Sequence, residues 1–333
     1  MKKWTGSSRR EVLRLAKRVI LDVDTGLDDA IAVMLAVLSP ELEVAAITTV
    51  SGNVHVNLTS VNTLKVLEVI GVNVPVAKGM SKPLVKELVT AEAVHGSDGL
   101  GDIGLPPPKG GLEKRHAVDL IIEEVKEHPK DTWIITTGPQ TNLAMVLLKE
   151  PELVDDLCGV ISMGGAFFVT PYGHGNVTPV AEYNIWCDPE AAKVVLSSGL
   201  EPTYVGLDVT MNPSAALTRR EAESILASRS NPSAKLLARL SLAYMNRLKY
   251  DRMWMHDPLA VAYAIDGSVL KVDKYPMYID VREGLTRGIT IIDRRKAKVT
   301  YAGGEHGHAY VAVDVDGEKF LALLRELIVD SRC

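Results

Sequence analysis

From Val19 to Leu21, and again from Ile31 to Leu38, the chain is apolar without interruption. The first run has the length of a buried strand and the second reads as a buried helix. Leu42 to Val50 is a second, largely apolar strand that ends in Ser51-Gly52-Asn53. Val56 to Ile70 carries apolar residues at helical spacing and closes on Gly71, a residue suited to a helix C-cap. Strand, helix, strand and helix in this order predict an α/β fold: a single domain with a mostly parallel, Rossmann-like central sheet flanked by helices.

Between Gly79 and Gly111 the pattern lapses into Pro- and Gly-rich sequence containing His95-Gly96-Ser97-Asp98-Gly99-Leu100-Gly101. A long irregular segment inside a compact domain usually forms a lid or binding loop. Helical pattern returns from Ala117 to Glu127, and Thr132 to Thr137 is a strand ending in Gly138-Pro139-Gln140-Thr141-Asn142. Gly and Pro force an abrupt turn there, which exposes backbone carbonyls at the sheet edge. A helix over Leu143 to Lys149 and a strand over Cys158 to Met163 follow. Asp188 and Pro189 open a further helix as N-cap and first residue. Thr203 to Val209 reads as a strand, two helices cover about Arg219 to Leu248, and another should begin near His256-Asp257-Pro258. Val269 to Val281, Ile289 to Ile292 and Ala309 to Val315 read as later strands of more antiparallel character, Asp316-Gly317 as a turn, and Phe320 to Val329 as a closing amphipathic helix. No repeat or linker divides the chain, so the expected organisation is an extension over 1–17 and one domain over 18–333.

Composition narrows the partners. A net charge of −5 offers no clustered basic face for nucleic acid, and no apolar stretch is long enough to cross a membrane. Small molecules are the expected partners. Three cysteines, Cys158, Cys187 and Cys333, lack metal spacing and fit a reducing, cytoplasmic setting. Ser8-Arg9-Arg10 looks superficially like an export signal, but Arg14, Lys17 and Arg18 interrupt the apolar segment that such a signal needs. A single glutamine, Gln140, is the scarcity of thermolabile side chains found in thermophilic proteins.

The chemistry concentrates where the first strand meets the first helix. Asp22, Asp24, Asp28 and Asp29 fall within eight positions. In an open parallel sheet that edge is where ligands bind. Asp28 and Asp29 alone could serve as helix-capping acids, but four carboxylates call for a cation. With no Cys or His among them they are hard oxygen ligands, which favour calcium or magnesium over zinc. Further ligands must come from other strand ends. The run Gly175-Asn176-Val177-Thr178-Pro179-Val180-Ala181-Glu182-Tyr183-Asn184 is dense in hydrogen-bonding side chains, as binding several sugar hydroxyls requires; its plain alternative is a polar surface loop. His256 beside Asp257 reads as chemistry or as a helix start, and His95 as a working or a merely solvated loop histidine.

Four motifs, DVDTGLDDA at 22–30, TGPQTN at 137–142, GNVTPVAEYN at 175–184 and HDP at 256–258, together closely resemble the nucleoside hydrolase family of the inosine-uridine-preferring type, from about residue 18 to the final helix. The resemblance implies calcium-dependent hydrolysis of the N-glycosidic bond of a ribonucleoside, in nucleoside catabolism, by a homo-oligomer, a dimer or tetramer. It implies Asp24, Asp29 and Asp257 as calcium carboxylates, the Thr137 carbonyl as a further ligand and Asp28 as general base. Asn53, Asn176, Glu182 and Asn184 would hold ribose hydroxyls, Met163 would line the sugar pocket, and His256 would face the leaving base. Asp22 would support the ligands from behind.

His95 lies in a segment that resembles the HG-x-x-G loop of members with pyrimidine or broad specificity, so a histidine-assisted, broad or pyrimidine-preferring enzyme is expected. Tyr250 and Trp254 keep base stacking, and with it purines, open. Two other readings remain at this stage. Asp22-Val23-Asp24-Thr25 also matches the acids of haloacid dehalogenase-like phosphohydrolases, and a non-catalytic ribose- or nucleoside-binding protein would use most of the same side chains.

Overall fold

The computed structural model describes residues 16–228, 231–295 and 306–330. The Arg9-Arg10 segment, nearly all of the expected extension, and Cys333 lie outside the described residues. In chain order the elements are β1 (Lys17–Val23), α1 (Leu27–Leu38), β2 (Leu42–Thr49), α2 (Val56–Ile70), β3 (Val76–Lys78), α3 (Glu92–His95), α4 (Ala117–Glu127), β4 (Trp133–Thr136), α5 (Thr141–Lys149) and β5 (Gly159–Met163). Then come α6 (Tyr183–Cys187), α7 (Pro189–Ser197), β6 (Thr203–Val205), α8 (Leu207–Thr210), β7 (Leu217–Thr218), α9 (Arg219–Ala227), α10 (Pro232–Leu248), β8 (Arg252–Met253), α11 (His256–Ile265), β9 (Leu270–Ile279), β10 (Thr290–Ile292), β11 (Gly307–Val315) and α12 (Gly317–Leu324).

Nine strands form one sheet in the order β10-β9-β11-β6-β5-β4-β1-β2-β3. Only β9 runs against the rest, pairing antiparallel with β11 and β10, so the expected mixed character is confined to one edge. From β1 the chain builds outward through β2 and β3, then returns to place β4 on the other side of β1. The strand order therefore reverses between β1 and β4, and the crevice outside their carboxyl ends is the natural ligand site.

Residue alternation on β1 sets the two faces. Val19, Leu21 and Val23 join the core formed with α1, α10 and α11, whereas Ile20 packs with Val118, Ile121, Leu143 and Ala191 from α4, α5 and α7. Asp22 shares the Ile20 side, where its Oδ1 accepts from Thr48 Oγ1 and Asn142 Nδ2, both at 2.7 Å. Asp188 caps α7 as expected, accepting from Ala191 N at 3.0 Å, and also accepts from Thr141 Oγ1 and Leu84 N.

Three expectations need correction. The strand expected over Thr203–Val209 stops at Val205, because Gly206 leads into the helical turn of α8. Buried Asp208 holds that turn by accepting from the amides of Phe167, Val169 and Thr170. Asp316 is not part of a simple turn but the N-cap of α12, accepting from Lys319 N, so the closing helix starts at Gly317; a π turn continues it over Arg325–Val329. The first helix begins at Leu27 rather than Ile31, which draws Asp28 and Asp29 into its first turn. Among the described residues no helix is long and apolar enough to cross a membrane.

Candidate active site

The floor of the crevice is built by β1, the start of α1, the turn after β2, the end of β4 and the start of α11. Gly26 N donates to Asp29 Oδ2 (2.9 Å), which also accepts from Asn53 Nδ2 (2.9 Å). Asp29 Oδ1 accepts from Thr137 Oγ1 at 2.7 Å. Asn53 N donates to Asp24 Oδ2 at 2.7 Å. That approach demands a glycine before Asn53, since a Cβ at Gly52 would lie 2.0 Å from the Asp24 carboxylate. Asp28, Asp29 and Asp257 each bring one carboxylate oxygen within 4.8 Å of the others.

Such a cluster is costly in isolation. Burial first, and the Asp29 charge second, push Asp24 well above the ordinary carboxylate range; the same two causes bring Asp28 to about 7. Burial first and the Asp28 charge second raise Asp257. Buried Asp24 Oδ1 has no hydrogen-bond partner. Like charges crowded together, an orphaned carboxylate oxygen and a donor set made of oxygen alone fit a hard divalent cation.

Above this floor lies a cavity of about 390 Å³. Asp28, Asn53, His95, Thr137, Met163, Asn176, Glu182, Asn184, His256 and Asp257 all line it, while Asp24 and Asp29 lie buried around its floor. Residues far apart in sequence are thus brought to one place, with Asn176 the most peripheral on its exposed loop.

One wall is the N-terminus of α6. Glu182 Oε1 accepts from Asn184 N (2.8 Å), and Oε2 from Gly165 N (3.0 Å) and Ile185 N (3.1 Å). Burial raises the Glu182 carboxyl, and those backbone amides pull it back. Asn184 Nδ2 donates to the Thr137 carbonyl at 2.6 Å, and the Met163 carbonyl and sulfur lie at 3.3 and 3.4 Å from the same nitrogen.

Two histidines, His95 and His256, line the cavity within electrostatic reach of each other. His95 Nδ1 accepts from Leu27 N at 3.0 Å, and His256 Nδ1 lies 2.8 Å from Thr210 Oγ1. Burial lowers His95 to about 4 against the pull of Asp29, and burial lowers His256 to about 4 with His95 adding to the fall. Both rings are therefore neutral near pH 7. The His95 proton sits on Nε2, since Nδ1 is an acceptor.

Asp22 does not reach the cavity. Its carboxylate faces the far side of β1 in the sheet interior, which removes the phosphoryl-acceptor role that the phosphohydrolase reading required. The structure also adds residues that the pattern of the chain did not single out for the site: Tyr183, Trp186, Met211 and Tyr244 line the cavity, and Thr210 touches His256. Tyr183 lies within the polar run without an assigned role, Trp186 adjoins it, and Tyr244 falls on a helix that reads as core.

A mostly parallel sheet with a cavity over clustered carboxylates at its switch point is an α/β fold whose site could hold a metal ion. The chain belongs to the inosine-uridine preferring nucleoside hydrolase family, whose sequence profile matches residues 19–322. It is an enzyme that cleaves N-glycosyl bonds. It is 39% identical over 322 residues to the inosine-uridine preferring nucleoside hydrolase of Crithidia fasciculata, covering 94% of this chain and 98% of that protein. Identity to the pyrimidine-specific ribonucleoside hydrolase RihA of Citrobacter koseri is 36% over 319 residues, with the same coverage of both. Among solved structures, the purine-preferring ribonucleoside hydrolase from Gardnerella vaginalis superposes with a TM-score of 0.83 at 35% identity, over 94% of this chain and 98% of that one.

Proposed function

We propose that this enzyme hydrolyses ribonucleosides to ribose and free base with calcium at the carboxylate cluster, and that its preference is broad or for pyrimidines. The observation that carries the reading is the meeting of Asp28, Asp29 and Asp257 under a cavity walled by Asn53, Glu182 and Asn184. Asp24, Asp29, Asp257 and the Thr137 carbonyl are the proposed ligands, all hard oxygens. Calcium held by these ligands would supply a positive centre that lowers the pKa of a water at the site.

The remaining work falls to the chain itself. Breaking a glycosidic C–N bond develops oxocarbenium character at the sugar, and water attacks opposite the leaving base. Asp28, at the cavity surface beside the carboxylates of Asp29 and Asp257, takes the proton from that water as the general base. Glu182 is held by backbone amides, two on Oε2 and one on Oε1, and on the cavity side Oε1 accepts from a sugar hydroxyl. Asn53, Asn176 and Asn184 hold further hydroxyls, and Met163 packs against the sugar. On the base side, the tautomer of His256 with its proton on Nε2, in which Nδ1 accepts from the Thr210 hydroxyl 2.8 Å away, offers that proton to the departing base. The two histidines lining the cavity support assistance to poor leaving groups, hence pyrimidines. Tyr244, Tyr250 and Trp254 line the same cavity and support a second reading in which purines stack there.

The test is ribose release from inosine, adenosine, guanosine, uridine and cytidine, with calcium present and after its removal. Calcium-dependent release, fastest per substrate bound from uridine or cytidine, is expected. Preference for the three purines would favour the stacking reading. No release from any of them, or a requirement for phosphate, would overturn the proposal.

A further inference from the structure

The short helix α6 works in two directions. Asn184 turns towards the sheet end, whereas Tyr183, Trp186 and Cys187, spaced i, i+3 and i+4, meet the irregular segment 80–91. That segment is pinned at its ends, by Met80 N and Leu84 N donating to Asn142 and Asp188, and by Ala91 N donating to the Asn53 carbonyl. Between Leu84 and Ala91 the described anchors come from α6. Lys86 Nζ lies 3.4 Å over the Trp186 ring, and the Val89 carbonyl lies 2.8 Å from Tyr183 Oη.

Tyr183 Oη lies at the same 2.8 Å from the Gly52 carbonyl. One phenol carries one proton, so it cannot donate fully to both carbonyls. Cys187 supplies a second, weaker donor: its buried thiol lies 3.9 Å from the Val89 carbonyl. Two donors thus meet two carbonyls, one on the cavity lip formed by Val89, Thr90 and Ala91, the other on the turn that presents Asn53 to Asp24 and Asp29.

We propose that Tyr183 is a positioning residue for the reaction: its hydroxyl, seconded by Cys187, fixes the lip to the Gly52-Asn53 turn and so holds the cavity closed around the sugar. The inference rests on the ribonucleoside reading. The Tyr183 hydroxyl is taken up by the Gly52 and Val89 carbonyls, so it should govern how well substrate is held more than how fast the bond breaks.

Tyr183→Phe keeps the ring and removes only the donor. One net hydrogen bond corresponds to about a fivefold change in equilibrium, so KM for the best nucleoside should rise about fivefold while kcat falls less than about twofold. Trypsin should cut faster after Lys86 in the variant, with the thermal midpoint lowered by less than about 4 °C. Cys187→Ala should shift KM and cleavage in the same direction by less, and it carries the test if Tyr183→Phe does not fold. Unchanged KM and unchanged cleavage in the folded variants would overturn the proposal, as would a lowered thermal midpoint with wild-type KM. If the wild-type enzyme releases ribose from no nucleoside, the functional reading fails, and the cleavage rate after Lys86 alone decides whether Tyr183 holds the lip.

Discussion

Replacing Glu182 with Gln exchanges a group that only accepts for one that accepts at one end and donates at the other. In the native site Oε1 meets one amide and Oε2 meets two. The least damaging orientation of the new amide keeps its oxygen on Gly165 and Ile185 and turns its NH₂ towards the Asn184 amide. One charge-assisted bond, about 1.5–3 kcal/mol, is then lost and two are weakened to neutral strength at about 1 kcal/mol each. Relief from burying a charge offsets part of this, since burial opposes ionisation of Glu182, which leaves a net destabilisation of about 2 kcal/mol. The free acceptor on the cavity side disappears as well, so kcat/KM for a ribonucleoside should fall by about ten- to a hundredfold. Urea unfolding and steady-state ribose release read the two effects separately. Stability and kcat/KM both within about twofold of wild type would refute the assignment of Glu182 as a charged acceptor held by backbone amides.

Asp28→Ala should lower kcat by at least about a hundredfold, the scale of lost general-base catalysis, while equilibrium dialysis shows nucleoside still bound; near-wild-type turnover would remove Asp28 from the mechanism. His256→Ala should slow natural nucleosides by about a hundredfold yet hardly change hydrolysis of p-nitrophenyl riboside, whose leaving group is stable as an anion. Equal losses on both substrates would show that His256 acts by supporting Asp257.

Much of this architecture was legible because strong local signals agreed with the tertiary fold. The apolar runs of β1 and α1, Gly71 in a left-handed C-cap with φ 71°, and Asp188 capping α7 each appear where periodicity and capping chemistry put them. What escaped was short or decided by distant partners. Strand β3 has three residues and exists through pairing with Ile47, Thr48 and Thr49. The apolar stretch after Thr203 looked like continuous strand, but Asp208, bonded to amides some forty residues away, holds it as a helical turn.

At the site, the oxygen-rich motifs announced themselves by composition. Tyr183 and Thr210 did not, because their roles depend on Gly52, Val89 and His256, which only the folded chain brings near. The convergence of Asp257 with Asp28 and Asp29 likewise needed the resemblance, since nothing in local spacing links α11 to α1.

The central claim is that the carboxylate cluster works through one calcium ion. The most direct measurement is a calcium titration of chelator-stripped enzyme, following ribose release and the thermal midpoint together. The account predicts negligible activity without calcium and recovery that saturates at one ion per chain. The midpoint should rise in step, since an ion held about a hundredfold above its Kd adds about 2.7 kcal/mol of stability. Full activity in excess chelator, or recovery with zinc but not with calcium, would contradict it.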